Sequence, residues 1–329
     1  MRLAVLADVH GNLPALEAVL SELEQLQPDA VLLDGDLING VPFSCEVLDI
    51  VQARNWAVVR GNHEFYYLDY GTPRALPGTE NGDRWGQLHW LVEQISPAQG
   101  AYLALLPDEM TVYVPGTQPL RVAHGVPGRN RVGFYRSQGD AAIVAEIETV
   151  PERTLISAHT HVQIDRHVRR GGEGPASLFA DPHAATEIHG RLAAFEQQWH
   201  VINPGSVGLP LDGRPVAQFA LLESVAERVE PGGWRATHIT IDYDRRPVLE
   251  AFRTSGMLEA GGVMSTLFYW EVVTARAEII AFFRWAVSNG LDPDRDDMQD
   301  CFARYKAATG RDAHVHSLDP LVRRSGERG

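Results

Sequence analysis

The sequence is poor in cysteine: Cys45 and Cys301 stand far apart and in no metal-ligand spacing. That excludes a disulfide framework, argues against a thiolate zinc site, and reads as reduced thiols in a cytoplasmic protein. Positive charge is also short, with 29 Lys and Arg against 43 Asp and Glu and a formal net charge of -14. Duplex nucleic-acid binding rests on neutralising phosphates, so none is expected. The opening apolar run, residues 2–7, is too short for a signal peptide, and a cytoplasmic location is expected. A long uncharged apolar run is missing too: residues 262–287 carry Glu271, Arg276, Glu278 and Arg284. This argues against a membrane span and for a helix buried in protein. What is present, 329 residues of 44% hydrophobic and 22% charged composition, suits a large core with an appended second unit.

Residues 2–7 form an apolar strand candidate, followed by Asp8-Val9-His10-Gly11-Asn12 and a helix with Leu13, Leu16, Leu20 and Leu23 at helical spacing. Residues 30–33 repeat the pattern and end in Asp34-Gly35-Asp36 before a second helix carrying Cys45, Leu48 and Val51. Residues 56–59 make a third strand, with Gly61-Asn62-His63-Glu64 expected in the loop at its exit. Crossovers of this length predict parallel pairing, with all three loops at one sheet edge, where open α/β sheets bind ligands.

The alternation lapses over 65–82, expected as a loop; helices are expected at 83–95 and from Ser96-Pro97 to about 107. The segment 65–119 reads as an insertion over the sheet edge, and 171–198, opening on Gly171-Gly172, as a second. Strands are expected at 110–114 and 120–123, the latter ending in His124. Residues 154–157 lead into Ala158-His159-Thr160-His161, and 199–202 into Asn203-Pro204-Gly205-Ser206. Late strands are expected at 216–222 and 236–243 around Pro231-Gly232-Gly233. The catalytic unit is placed at 1–250 and a helical extension at 251–329, with a frayed tail from Arg311.

Collected together, the strand exits supply Asp8, His10, Asp36, Asn62, His63, His124, His159 and His161. Carboxylate plus imidazole suits Mn, Fe, Ni, Co or Zn rather than Mg or Ca. In extended strand ends, Asp8/His10 and His159/His161 would each turn two side chains to one face. So many ligands exceed one metal but suit two ions about 3.5–4 Å apart bridged by a carboxylate.

In order, Asp8-x-His10, Gly35-Asp36, Gly61-Asn62-His63-Glu64, His124 and His159-x-His161 resemble the calcineurin-like metallophosphoesterase family over about residues 1–210. The resemblance implies an α/β fold, a β-sandwich of two mixed sheets flanked by helices, with helical insertions and a C-terminal helical extension. It implies that Asp8, His10 and His161 hold one ion, that Asn62, His124 and His159 hold the other, and that Asp36 bridges. Manganese is favoured. The expected chemistry is phosphoester hydrolysis by a metal-bridging hydroxide, its pKa lowered toward about 7. The resemblance gives His63 no metal; it is expected to protonate the leaving oxygen as general acid, worth about 10²–10⁴-fold.

Departures narrow the choice. Where the Ser/Thr protein phosphatase branch has an Asp-Arg pair after the bridging aspartate, Asn39 and Gly40 stand here. A neutral amide orients His63 without raising its pKa as a carboxylate would. Asn203 through Pro210 resembles the closing loop of the small bacterial phosphodiesterase branch, so phosphodiesters or small nucleotide-like phosphates are the expected substrates. The alternatives are a phosphomonoesterase or protein phosphatase, and a non-catalytic metal-binding scaffold on the same fold.

Around this centre, Arg129 and Arg131 are candidates to grip substrate phosphate, since guanidinium suits bidentate anion contacts. Asn12 either holds substrate or caps the first helix, with capping the better expectation. Glu64 either orients a neighbour or is a solvated loop acid, and Tyr66 and Tyr67 either line a base or aryl pocket or pack in the core. Asp181 and His183 form a metal-like pair with no supporting motif. Leu267, Trp270, Phe282 and Trp285 leave the long apolar helix no wide polar face. Burial against the core or against a second subunit, giving a homodimer through the C-terminal helices, is expected.

Overall fold

The computed structural model describes residues 1–170 and 197–322. The expected second insertion, with Asp181 and His183, lies almost wholly outside these residues. The chain begins with β1 (Arg2–Leu6), α1 (Leu13–Leu26), β2 (Ala30–Asp34), α2 (Ser44–Arg54) and β3 (Ala57–Val59). Strands β1 and β2 pair in parallel, as do β2 and β3, so their three exits share one edge as the crossover lengths predict. Two antiparallel strands, β9 (Ala217–Ser224) and β10 (Trp234–Ile241), extend the sheet beyond β1 to give the order β10-β9-β1-β2-β3.

Between these parts lie α3 (Asn62–Asp69), α4 (Gly82–Gln94), α5 (Pro97–Leu105), β4 (Glu109–Val112), β5 (Leu120–Ala123), α6 (Asp140–Ile147), β6 (Thr154–Ile156), β7 (Ile164–Arg169) and β8 (Gln198–Asn203). The second sheet runs β4-β5-β6-β8-β7 and is also mixed. The architecture is therefore two mixed five-stranded sheets flanked by helices.

The period-two alternation of β1 explains how it serves two cores at once. Leu3 and Val5 meet Val122, Ile156 and Ile202 between the sheets, whereas Ala4 and Leu6 meet Leu16, Val19 and Val47 beneath α1 and α2. Each such fully buried Leu or Val contributes about 1.5–3 kcal/mol relative to exposure. A third cluster joins α6 to the outer face of the second sheet through Ile143, Ile147, Val168 and Trp199.

Several local expectations are corrected. Residues 62–69, expected as a loop, are helical, because Glu64 folds back to accept the Gly61 N–H at 2.7 Å and closes the first turn. Strand β7 was not expected, since Ile164, Arg166 and Val168 face α6 while Asp165 and His167 break the apolar run. The segment 65–119 is not all insertion: β4 is the edge strand of the second sheet.

The C-terminal part comprises α7 (Arg246–Thr254), α8 (Met257–Thr274), α9 (Glu278–Ser288), α10 (Met298–Thr309) and α11 (Arg311–Leu318). The single long apolar helix is thus two, because Ala275 adopts φ 51° and caps α8 by donating its N–H to the Glu271 carbonyl. Nor is the tail frayed from Arg311: α11 is tied down where the Arg311 guanidinium meets buried Glu278. Leu267, Trp270 and Phe282 are buried within the same chain, together with Val41 and Leu209 of the sandwich. Among the described residues no helix is long and apolar enough to cross a membrane.

Candidate metal centre and active site

All the strand-exit residues, from β1, β2 and β3 of the first sheet and β5 and β6 of the second, converge at one edge of the sandwich. Asp8, His10, Asp36, His159 and His161 each adopt positive φ, between 51° and 65°. The expectation of extended strand ends is corrected here: β1 stops at Leu6 and β6 at Ile156, and alternate residues beyond them are left-handed. Such backbone costs about 1–3 kcal/mol per residue and persists only where surrounding contacts enforce it. Those contacts are visible: the Asp8 N–H donates to the Gly35 carbonyl at 3.1 Å, and the His10 N–H to that of Asp36 at 2.9 Å. A Cβ on Gly208 would lie 1.8 Å from the Val9 carbonyl oxygen, so only glycine lets the 203–210 loop close over this turn.

The side chains fall into two groups. Asp8, His10, Asp36 and His161 offer ligand atoms all within 4.8 Å of one another, and Asp36, His124 and His159 do the same. Asp36 belongs to both. Asn62 completes the second group, its Oδ1 lying 3.2 Å from His124 Nε2 and 2.8 Å from His159 Nδ1. Gly61 must be glycine beside it, since a Cβ there would stand 2.2 Å from Asp36 Oδ1. Ring orientation is set from behind: His10 Nδ1 meets the Asn39 carbonyl, His124 Nδ1 that of Asp34, and His161 Nδ1 that of Leu209, at 2.7–3.0 Å. Such bonds fix the tautomer and leave Nε2 facing the centre.

Electrostatics follow from burial. Burial pushes His161 down to about 3 and His159 to about 4, and lowers His10 well below the ordinary imidazole value. These rings are neutral near pH 7, the form that ligates metal. Burial also raises Asp8, and both its carboxylate oxygens are buried without a hydrogen-bond partner. For Asp36, burial works upward, but the facing imidazoles of His124, His63 and His10 together outweigh it and hold that carboxyl well below the usual range. His124 is raised correspondingly by Asp36 against the effect of its own burial. Unpaired buried carboxylate oxygens beside neutral imidazole nitrogens are a donor set that fits divalent cations.

His63 sits apart from these ligand atoms. Its Nε2 is 4.0 Å from Asp36 Oδ2, its backbone N–H donates to Asp36 Oδ1 at 2.8 Å, and its ring meets His10 edge-on at 4.6 Å between centroids. The expectation that Asn39 orients it is corrected: Asn39 Oδ1 accepts from the Gly40 N–H, and His63 Nδ1 is buried with no partner. Burial lowers the His63 pKa.

Residues 1–163 match the model of the calcineurin-like phosphoesterase family. The chain belongs to that family. An uncharacterized protein of Methanocaldococcus jannaschii is 22% identical over 253 residues, spanning 75% of this chain and 90% of its own. Among solved structures, a metallophosphoesterase from Sphaerobacter thermophilus matches with TM-score 0.56 and 22% identity, covering 82% of this chain and 100% of that one. A hypothetical protein from Pyrococcus horikoshii matches with TM-score 0.60 and 20% identity over 82% and 97%. At these identities the likeness is one of fold. Family membership and the buried Asp/His groups together support a phosphoester hydrolase that binds divalent metal.

The remaining candidates of this phosphoesterase separate clearly. Asn12 is corrected as a substrate contact: it is fully buried, its Oδ1 accepts the Ala15 N–H, and its Nδ2 donates to Gly208 O and Tyr243 Oη. Arg129 is half exposed and ion-paired with Glu146, beside a cavity of about 210 Å³ that His124, Phe65 and Asn130 also line. Arg131 lies over the Tyr66 ring at 4.9 Å, and that ring meets His63 at 5.2 Å. Tyr67 packs on Gly100. Glu64 is no solvated acid: wholly buried, it accepts backbone N–H groups of Asp36, Leu37, Ile38 and Gly61. Burial pushes its carboxyl up to about 7.

Two contributors were missed in the sequence. Asp34 is buried beneath the centre, and burial pushes it up to about 7; its place in Asp34-Gly35-Asp36 was the available signal. Phe268 of α8 reaches the site wall, its ring 6.4 Å from that of His63 and packed against Gly40. No local signal marks it among the apolar residues of that helix.

Proposed function

We propose that this chain hydrolyses phosphodiesters or small nucleotide-like phosphates with two divalent ions, manganese favoured. Asp8, His10 and His161 would hold one ion, Asn62, His124 and His159 the other, with Asp36 shared between them. The carrying observation is that the two ligand groups have Asp36 in common, which is what a paired site requires. Bound there, the ions supply Lewis acidity toward phosphoryl oxygens and lower the pKa of water.

The chain's own residues do the rest. His63 stands at the rim, beside the ligand atoms but outside their groups, where a proton on Nε2 faces the departing oxygen. Tyr66 and Phe268 flank it and offer an aromatic wall to a planar leaving group. Asn39 and Gly40 provide no charged grip of the protein-phosphatase kind, which favours diesters over phosphoproteins.

The deciding experiment is hydrolysis by metal-reconstituted protein of matched aryl diesters, cyclic nucleotides and monoesters, with metal content measured on the same samples. Higher kcat/KM on diesters at two ions per chain is expected. A strong monoester preference would reverse the substrate assignment, and no turnover with both ions bound would favour a scaffold.

A further inference from the structure

The inner face of the second sheet is apolar at its centre but turns ionisable at the edge formed by β7 and β8. His167 and His200 are direct cross-strand partners, and Asp165 lies two residues before His167 on the same face. The two imidazoles stack at 4.2 Å between centroids with planes 28° apart. His200 Nε2 is 2.7 Å from Asp165 Oδ1 and His167 Nε2 is 2.6 Å from Glu230 Oε1, Glu230 arriving from the turn before β10 of the other sheet. Asp165, His167 and His200 offer ligand atoms all within 4.8 Å of one another, and they share no residue with the active centre.

Two carboxylate–imidazole pairs do not account for this cluster. Nδ1 of His167 and Nδ1 of His200 are both buried with no hydrogen-bond partner, and the His200 side chain is only 1% exposed. A buried polar atom left in that state is costly, and the stacked pair holds two of them.

We propose that Asp165, His167 and His200 form a further metal site, for a zinc-class divalent cation. Imidazole nitrogen with carboxylate oxygen is the donor set of such ions and a poor one for magnesium or calcium. Bonds of about 2.0–2.2 Å require the ligand atoms to draw together by small side-chain rotations. Through Glu230 the site links β7 and β8 to the β9–β10 turn, so the ion acts as a staple between the two sheets rather than as a catalyst.

The test is a comparison of full-length parent, His167→Ala and Asp165→Asn, each stripped of metal and titrated with Zn²⁺. Bound zinc is counted by equilibrium dialysis with elemental analysis, and thermal unfolding is followed with and without zinc. The parent is expected to bind one more equivalent than His167→Ala. In Asp165→Asn that equivalent is expected to weaken by about 100-fold, at the upper end of the losses that supporting residues alone produce. Diester hydrolysis with the active centre loaded should stay at the parent level in both. His167 is a third exposed and Asp165 nearly half, so neither change opens a core. Equal zinc stoichiometry and affinity in all three chains would overturn the site, whatever number of ions the active centre takes.

Discussion

The ring of Phe268 meets the imidazole of His63 edge to face, with centroids 6.4 Å apart and planes at 72°. One residue belongs to the C-terminal helix α8 and the other to the first turn of α3. The extension beyond the sandwich thus builds a wall of the active site. We expect Phe268→Ala to lower kcat/KM about fivefold for diesters with a nucleobase or aryl group and to leave dimethyl-type diesters nearly unchanged, since aromatic contacts contribute about 1 kcal/mol beyond area burial. Steady-state kinetics on the two substrate sets would decide; an equal loss on both would assign the ring to packing alone.

His63→Ala tests the proton donor. Turnover of diesters with poor leaving groups should fall by about 10²–10⁴-fold, with a smaller loss when the leaving group is already acidic. Burial puts the His63 pKa below its ordinary value, and the acid must be protonated to act. In the parent, kcat/KM on poor leaving groups should therefore decline as pH rises through a pKa below about 6.5. The variant should lack that limb. Retained turnover on a poor leaving group with metals bound would remove His63 from the mechanism.

Glu64→Gln changes little in volume but replaces one accepting oxygen with an NH₂ that faces backbone N–H donors of residues 36–38 or 61. Leaving such buried groups unpaired should destabilise the chain by about 2–3 kcal/mol in urea unfolding. Because the Asp36 N–H is among those donors, affinity for the ion pair should weaken by about 10–100-fold. Unchanged metal affinity would mean that Asp36 is positioned without it.

Glu271 of α8 should make stability pH-dependent. Burial pushes its carboxyl up to about 8 from an ordinary value of 4.5, although its Oε1 accepts the Ile279 N–H at 3.1 Å. Between those values the folded chain keeps a proton that the unfolded chain has lost, so the contribution of Glu271 to stability is full below about pH 4.5 and is lost as pH rises through about 8. The size of this contribution is a few kcal/mol. Glu271→Gln should abolish that slope in denaturant unfolding measured across pH; an identical slope in both chains would assign it to other groups.

Much of the centre was legible from the chain alone. Period-two and helical spacing located β1, β2, β3 and their helices, and crossover length made the pairing parallel. Those local patterns suffice to bring polar strand exits to one edge. They failed where a side chain folds back on distant or unusual backbone: α3 depends on Glu64 reaching Gly61 and residues 36–38. They failed again at α11, which is held by the Arg311–Glu278 pair.

What residue types and order determine by themselves is therefore the donor set: Asp8, His10, Asp36, Asn62, His124, His159 and His161 stand in the sequence with the chemistry and the order of the paired metal centre proposed above. The tertiary structure placed Asp36 in both groups and Asn12 at its cap, as expected, and it alone decided that Glu64 is a buried acceptor and that Phe268 walls the site. The reason is physical. Ligand chemistry is a property of single side chains, whereas sharing, burial and enclosure are relations between segments that meet only when the sheets and helices pack.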